Sequence, residues 1–328
     1  MDTRVAAKPQ QKVALTHRLV TQNGFVTRST VARIGVAVSL AVALLLSATL
    51  GLVPPRASAD TALELVTLPT RPGITMNVLI GTSNEDKRAI VVQFPGGNGA
   101  GHFRQRPDGS IQTGLNFLVR SNDRFVGQHF VTAILDVPSD RATGMGNPFR
   151  VTAMHTQDVR AAIDYLSSRW SLPIYLSGTS TGTVSAAHMG IALNDPRVAG
   201  IIMTSTLDAV AEQPVATIRL PVLMMHHQDD GCSTATYAAA QATFGKLTGS
   251  ARANFVTVQG GDPPISTDPC EAQAPHGYLG VEQEVVNTIS DWIAGNPVPT
   301  LVTRLTPTPV PTPVEPAPPP EDLPDESS

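Results

Sequence analysis

The chain has 328 residues, 41% of them hydrophobic and 15% charged, with a formal net charge of −4. Its first 59 residues carry seven of the 23 Lys/Arg and one of the 27 Asp/Glu, so the remainder has a formal charge of −10. That balance argues against nucleic acid or an anionic membrane surface as a partner.

A basic segment with Arg4, Lys8, Lys12, Arg18, Arg28 and Arg33 leads into an uninterrupted apolar stretch, Ile34 to Val53. Pro54-Pro55-Arg56 and the small residues Ala57-Ser58-Ala59 follow. This order predicts a signal peptide over residues 1–59, cleaved after Ala59, and a secreted or periplasmic product. The alternative is a single-pass N-terminal anchor, because about 20 apolar residues can cross a bilayer. Initiation at Val31 would give a leader of more usual size. No cysteine follows the apolar run, which argues against a lipoprotein anchor.

Residues 60–295 read as one domain of ordinary size. Strand-like apolar runs occur at Leu63–Leu68, Thr75–Ile80, Ala89–Phe94, Phe130–Leu135, Leu172–Leu176, Val198–Met203, Val222–Met225 and Ala253–Val258. Helical spacing joins Val159, Ile163, Leu166 and Trp170, and again Val281, Val285, Ile289 and Ile293. Two early strands followed by alternating strands and helices predict an α/β fold. Its sheet would be mostly parallel and eight-stranded, with an antiparallel start and helices on both faces. Residues 296–328 are rich in proline and acid and read as an extended, disordered tail that could serve as a spacer or attachment segment.

Gly178-Thr179-Ser180-Thr181-Gly182 lies between the strand-like Leu172–Leu176 and a helix beginning near Thr183. A serine flanked by glycines at a strand-to-helix junction is a nucleophile elbow. The turn is so tight that residues two before and two after the serine have no room for side chains. Ser180 is thereby forced into a strained conformation with its hydroxyl exposed. Glycine is common in this chain, so the motif needs an acid, a base and oxyanion donors elsewhere to carry weight.

With these runs in this order, the chain resembles the α/β-hydrolase fold over Asp60–Gly295, and within it the cap-less esterases and dienelactone-hydrolase-like members. In that fold the nucleophile follows the fifth strand, the acid the seventh and the base the last. The resemblance implies Ser180 as nucleophile. His226-His227-Gln228-Asp229-Asp230 matches the family's His-Gly-x-x-Asp pattern, with His227 where glycine is usual, and so implies Asp230 as the acid. Asp229 is the rival. Pro275-His276-Gly277 precedes the final helix and implies His276 as the base, ahead of His102, His155, His188, His226 and His227. Phe94-Pro95-Gly96-Gly97-Asn98-Gly99-Ala100-Gly101 is similar to oxyanion loops of the His-Gly-Gly type, with Pro95 in place of histidine. Its implied donors are the backbone N–H of Gly97 or Asn98 together with that of Thr181. The spacing of these glycines fits neither a dinucleotide fingerprint nor a phosphate-binding Walker loop.

Cys232 and Cys270 are the only cysteines, and a secreted protein is expected to pair them. The bridge would tie the loop of the acid to the loop of the base. No His or carboxylate cluster has metal-ligand spacing, and no cofactor is implied. About 18 residues separate the sixth and seventh strands, too few for a large cap, so an open site shaped by Gly99–Val119 and Asp136–Arg150 is expected. The activity implied is hydrolysis of a carboxylic ester, small or borne on a polymer, by a monomeric serine hydrolase. Amide or peptide hydrolysis, perhydrolysis as a side activity, and a non-catalytic binding protein on the same scaffold are the alternatives. A membrane partner is implied only if the leader stays uncleaved.

Overall fold

A computed structural model describes residues 61–101 and 103–304. The leader, with its cleavage site, and residues 305–328 lie outside the described residues, as does His102.

The chain opens with an antiparallel pair, β1 (Ala62–Arg71) and β2 (Ile74–Thr82). Seven further strands join the sheet: β3 (Ala89–Phe94), β4 (Phe130–Pro138), β5 (Ile174–Thr179), β6 (Val198–Thr204), β7 (Val222–His227), β8 (Ala253–Gln259) and β9 (Leu301–Thr303). Their spatial order is β1-β2-β4-β3-β5-β6-β7-β8-β9. β2 pairs antiparallel with β4, and every pairing from β4 onward is parallel. Four helices of nine or more residues pack on this sheet among the described residues: α1 (Ala153–Arg169), α2 (Gly182–Ala192), α3 (Tyr237–Gly245) and α4 (Glu282–Ile293).

Strand periodicity divides the core between the two faces. Along β3, Ile90, Val92 and Phe94 pack with Val159, Ile163 and Leu166 of α1 and Val184 and Met189 of α2. The alternate residues Ala89 and Val91 pack with Val285, Ile289 and Trp292 of α4. Both faces of β3 are therefore covered, which is why it reads as a continuous apolar run rather than an alternating one. The helical spacing seen in the sequence is the buried stripe of α1 and α4. Trp170 falls just past the end of α1 and is extended.

The sheet has nine strands rather than the eight expected. The extra one, Leu301–Thr303, pairs parallel with Thr257–Gln259, and Val302 is buried. The ordered domain thus runs past Gly295 into the segment expected to be tail. Pro297 and Pro299 precede the strand, so neither removes an N–H from its ladder. Between β6 and β7 the chain makes only two short 3-10 turns, Asp208–Glu212 and Val215–Thr217, and no cap. Among the described residues no helix is long and apolar enough to cross a membrane.

β3 and β5 are neighbours, yet the chain leaves β3 toward β4 on one side and continues from β5 toward β6 on the other. Loops that follow two such strands diverge and leave a crevice at their carboxyl ends. Phe94 is in register with Gly178 across this pair, so the glycine-rich loop after β3 and the Ser180 turn after β5 emerge side by side.

Candidate active site

Ser180 sits at the end of β5 with φ of 53°, in the left-handed region that side chains rarely occupy. Sterics around the turn account for the glycines. A Cβ on Gly178 would lie 2.3 Å from the Gly182 carbonyl oxygen, and one on Gly182 would lie 2.0 Å from that of Phe94. Neither position can carry a side chain without moving backbone. A Cβ on Gly96 would come 2.9 Å from the Ser180 Cβ, so the loop after β3 passes directly beside the serine.

In that loop the Gly99 N–H donates to the Gly96 carbonyl at 3.1 Å, closing a turn through Gly97, whose φ is 58°. The Gly97 carbonyl accepts from Thr181 Oγ1 at 2.6 Å, which ties the loop to the residue after Ser180. The N–H groups of Gly97, Asn98 and Thr181 donate to no acceptor among the described residues. Thr181 immediately precedes α2, so its N–H carries the positive end of the helix dipole.

β7 ends at His227, and two residues later the chain reaches Asp229 and Asp230. The structure brings Asp230 to His276, with Nδ1 2.8 Å from Oδ2. Asp229 is exposed and lies outside this contact; its N–H donates to His227 Nδ1. Asp230 Oδ1 accepts the Cys232 N–H at 3.0 Å, and His226 Nε2 lies 3.2 Å from Oδ2. Burial pushes the Asp230 carboxyl upward, but hydrogen bonds from His226, His276 and the Cys232 N–H, with the His276 charge, outweigh it and hold it at about 2.

His276 lies in a short turn that is fastened on three sides. Ser205 Oγ donates to its carbonyl at 2.6 Å, and Arg120 reaches the Gly277 carbonyl at 2.6 Å while paired with Glu282. The Tyr278 hydroxyl donates to the Met225 carbonyl and accepts the Ser205 N–H. With Nδ1 held by Asp230, Nε2 is left buried and without a hydrogen-bond partner. Of the other candidate histidines, His226 sits behind Asp230, while His155 meets Ser185, His188 meets Thr156, and His227 meets the Gly260 carbonyl.

Ser180 and His276 line one cavity of 220 Å³, together with Gly97, Asn98, Leu115, Asn116, Phe117, Val119 and the segment Cys270–Ala272. Of the two loops expected to shape the site, only Gly99–Val119 lines it. Asp136–Arg150 packs behind the glycine loop instead, where the Met145 N–H holds the Asn98 carbonyl at 2.7 Å. The Cys232–Cys270 disulfide is formed and brings the 270–272 segment to the cavity wall. Leu115 and Asn116 fall within the expected Gly99–Val119 loop without having been singled out, whereas Glu271, next to Cys270, was not anticipated. Asn116 carried a faint signal as the cap of the turn Phe117–Arg120, its Oδ1 accepting the Leu118 N–H.

No family model and no curated protein sequence matches the chain. Among solved structures it is similar to a dienelactone hydrolase from Anabaena variabilis, with 12% identity and a TM-score of 0.52 over 72% of this chain and 98% of that one. It is also similar to an esterase of Pyrococcus furiosus, with 11% identity and a TM-score of 0.50 over 74% of this chain and 98% of that one. Est1E of Butyrivibrio proteoclasticus, whose structure holds ferulic acid, matches with 14% identity and a TM-score of 0.50 over 70% and 98%. With the strand order, the switch point between β3 and β5 and the strained Ser180 turn, these likenesses identify the chain as having the α/β-hydrolase fold.

Proposed function

We propose that this protein is a secreted serine hydrolase that cleaves a carboxylic ester through an acyl-enzyme. The observation that carries this reading is the state of His276. One ring nitrogen is held by a buried carboxylate at 2.8 Å, and the other, Nε2, is buried without a partner, whereas His155, His226 and His227 each engage theirs. That nitrogen belongs to a residue lining the same cavity as Ser180. An imidazole so held is a base awaiting a proton.

In this reading His276 Nε2 takes the Ser180 hydroxyl proton as Oγ attacks the ester carbonyl carbon. Asp230 fixes the tautomer and stabilises the imidazolium. The carbonyl oxygen becomes an oxyanion that accepts from the N–H groups of Thr181 and of Gly97 or Asn98. His276 then passes its proton to the departing alkoxide, leaving acyl-Ser180. Water, deprotonated by the same nitrogen, releases the acid and restores the serine. These steps use only protein groups and water. A cavity of 220 Å³ is below the roughly 300–1,000 Å³ usual for drug-sized ligands, which favours a short acyl group or the end of a larger ester. The esterase and dienelactone hydrolase among the structural neighbours support ester chemistry on this scaffold. The leader and the disulfide support secretion.

Release of nitrophenol from acetyl to octanoyl esters by the purified protein, beside Ser180→Ala, tests the reading. Loss of at least about 10⁴-fold in the variant is expected, with Tm unchanged because alanine meets the same left-handed φ. Comparable turnover in both proteins would refute it. Matched ester and amide substrates then rank the two activities.

A further inference from the structure

Arg150, at the end of the short turn Asn147–Arg150, is fully buried and has no carboxylate partner among the described residues. Its hydrogen-bonding groups meet neutral acceptors. Nη1 donates to Ser185 Oγ at 3.0 Å, while Nη2 makes long contacts to the Pro95 carbonyl at 3.5 Å, the Gly97 carbonyl at 3.4 Å and Thr181 Oγ1 at 3.4 Å. Nε is buried with no partner. A Cβ on Gly99 would lie 2.7 Å from Nη2, so glycine there lets the guanidinium press against the loop.

The surroundings offer this cation no compensating charge. Ser185 Oγ, which accepts from Arg150, also meets His155 Nε2, 3.0 Å away on α1. Burial, with the Arg150 charge behind it, pushes His155 down to about 3, so the imidazole is neutral. Arg71 and His188 lie beyond His155, and Asp158 on the same helix is engaged by Arg71 Nε at 2.8 Å. Burial lowers the guanidinium itself only to about 10, which leaves it charged at neutral pH.

A buried cation held only by dipoles is unfavourable unless an anion forms nearby. The acceptors of Arg150 show where. Gly97 C=O and Asn98 N–H belong to one peptide unit, and hydrogen bonding at the carbonyl strengthens the N–H as a donor. Thr181 supplies both a hydroxyl to the same carbonyl and an unpaired N–H of its own. We propose that Arg150 is a positioning residue of the reaction: its charge, placed behind the glycine loop, orients and polarises the donors that receive the oxyanion on Asn98 and Thr181. The inference rests on the esterase reading above and adds a residue to which that reading assigns no part.

The test compares full-chain wild type, Arg150→Met and Arg150→Lys. Readouts are kcat and KM on nitrophenyl acetate, inhibition by an alkyl boronic acid that forms a tetrahedral anion on serine, and Tm. Arg150→Met is expected to lower kcat by roughly 10- to 100-fold, less than the roughly 10²–10³-fold of removing an oxyanion donor outright, because the donors themselves remain. KM should stay within about twofold, and boronate affinity should weaken by the same factor as kcat. Arg150→Lys should recover at least about tenfold at neutral pH. Its kcat should fall as pH rises through the buried ammonium's depressed pKa, at lower pH than any loss in wild type, whose guanidinium stays charged up to about 10. That last measurement decides the matter even if Arg150→Met does not fold. Losses confined to KM, unchanged boronate affinity, or a lysine variant whose kcat follows the wild-type pH profile would overturn the proposal. Wild-type protein that neither turns over esters nor reacts with a serine-directed phosphonate would overturn the esterase reading and this one together.

Discussion

His226 Nε2 stands 3.2 Å from Asp230 Oδ2, the same oxygen that His276 Nδ1 reaches at 2.8 Å. The Thr206 N–H donates to His226 Nδ1 at 3.1 Å, so the single proton of the His226 ring is on Nε2, shared between Asp230 and the Ala235 carbonyl at 3.0 Å. Asp230 therefore faces two imidazole donors and a backbone N–H. The residue that opens the sequence motif is itself part of the carboxylate's setting.

Replacing His226 by phenylalanine removes that donor and strands the buried Thr206 N–H. A stability loss of roughly 1–3 kcal/mol is expected, read by urea unfolding. The kcat for ester hydrolysis should fall with it, while KM changes little, because no atom of His226 lines the cavity. A variant with wild-type kcat would remove His226 from the acid's support.

The depressed Asp230 carboxyl makes stability depend on acid. Its folded value of about 2 lies below the ordinary 3.8, so its contribution is complete above the unfolded value and is lost as pH falls toward 2. The group is buried, and the difference corresponds to about 2 kcal/mol. Urea unfolding at pH 6 and pH 2.5 should show Asp230→Asn losing less stability on acidification than wild type, by that order. Equal acid dependence in the two proteins would place the linkage elsewhere.

Reduction of Cys232–Cys270, which are 38 residues apart, should lower stability by about 4 kcal/mol in the chain-entropy account. Cys270 lines the cavity, so ester turnover should drop as well. Paired unfolding curves with and without reductant check the first expectation and initial rates at a temperature below both transitions check the second.

Gly182→Ala probes the elbow, since the added methyl would lie 2.0 Å from the Phe94 carbonyl oxygen. Destabilisation of roughly 1–3 kcal/mol is expected, as for other overpacked sites, together with severe loss of activity from displacement of α2 and Thr181. Gly295→Ala, at a site with no atom within 4 Å but φ of 81°, serves as a control that suffers backbone strain without touching the site.

Much of this molecule was legible in the chain because its governing forces are local. Glycines at 178 and 182 report a turn too tight for Cβ atoms, and the spacing of apolar residues in α1 and α4 reports which stripe is buried. The order Ser180, Asp230, His276 is what the resemblance to the α/β-hydrolase fold implies for a chain with this succession of strands. Other features depend on partners distant in sequence. Asp230 and Asp229 are one residue apart with the same chemistry, and only the folded turn after β7, where the Asp229 N–H meets His227 and the Cys232 N–H meets Asp230, shows which carboxyl reaches His276. The strand Leu301–Thr303 sits among prolines and is a strand only because β8 offers it an edge. Arg150 entered the sequence reading only as the end of the Asp136–Arg150 loop. Its burial against Pro95, Gly97 and Thr181 is set by packing across β3, β5 and α2, which no local pattern encodes.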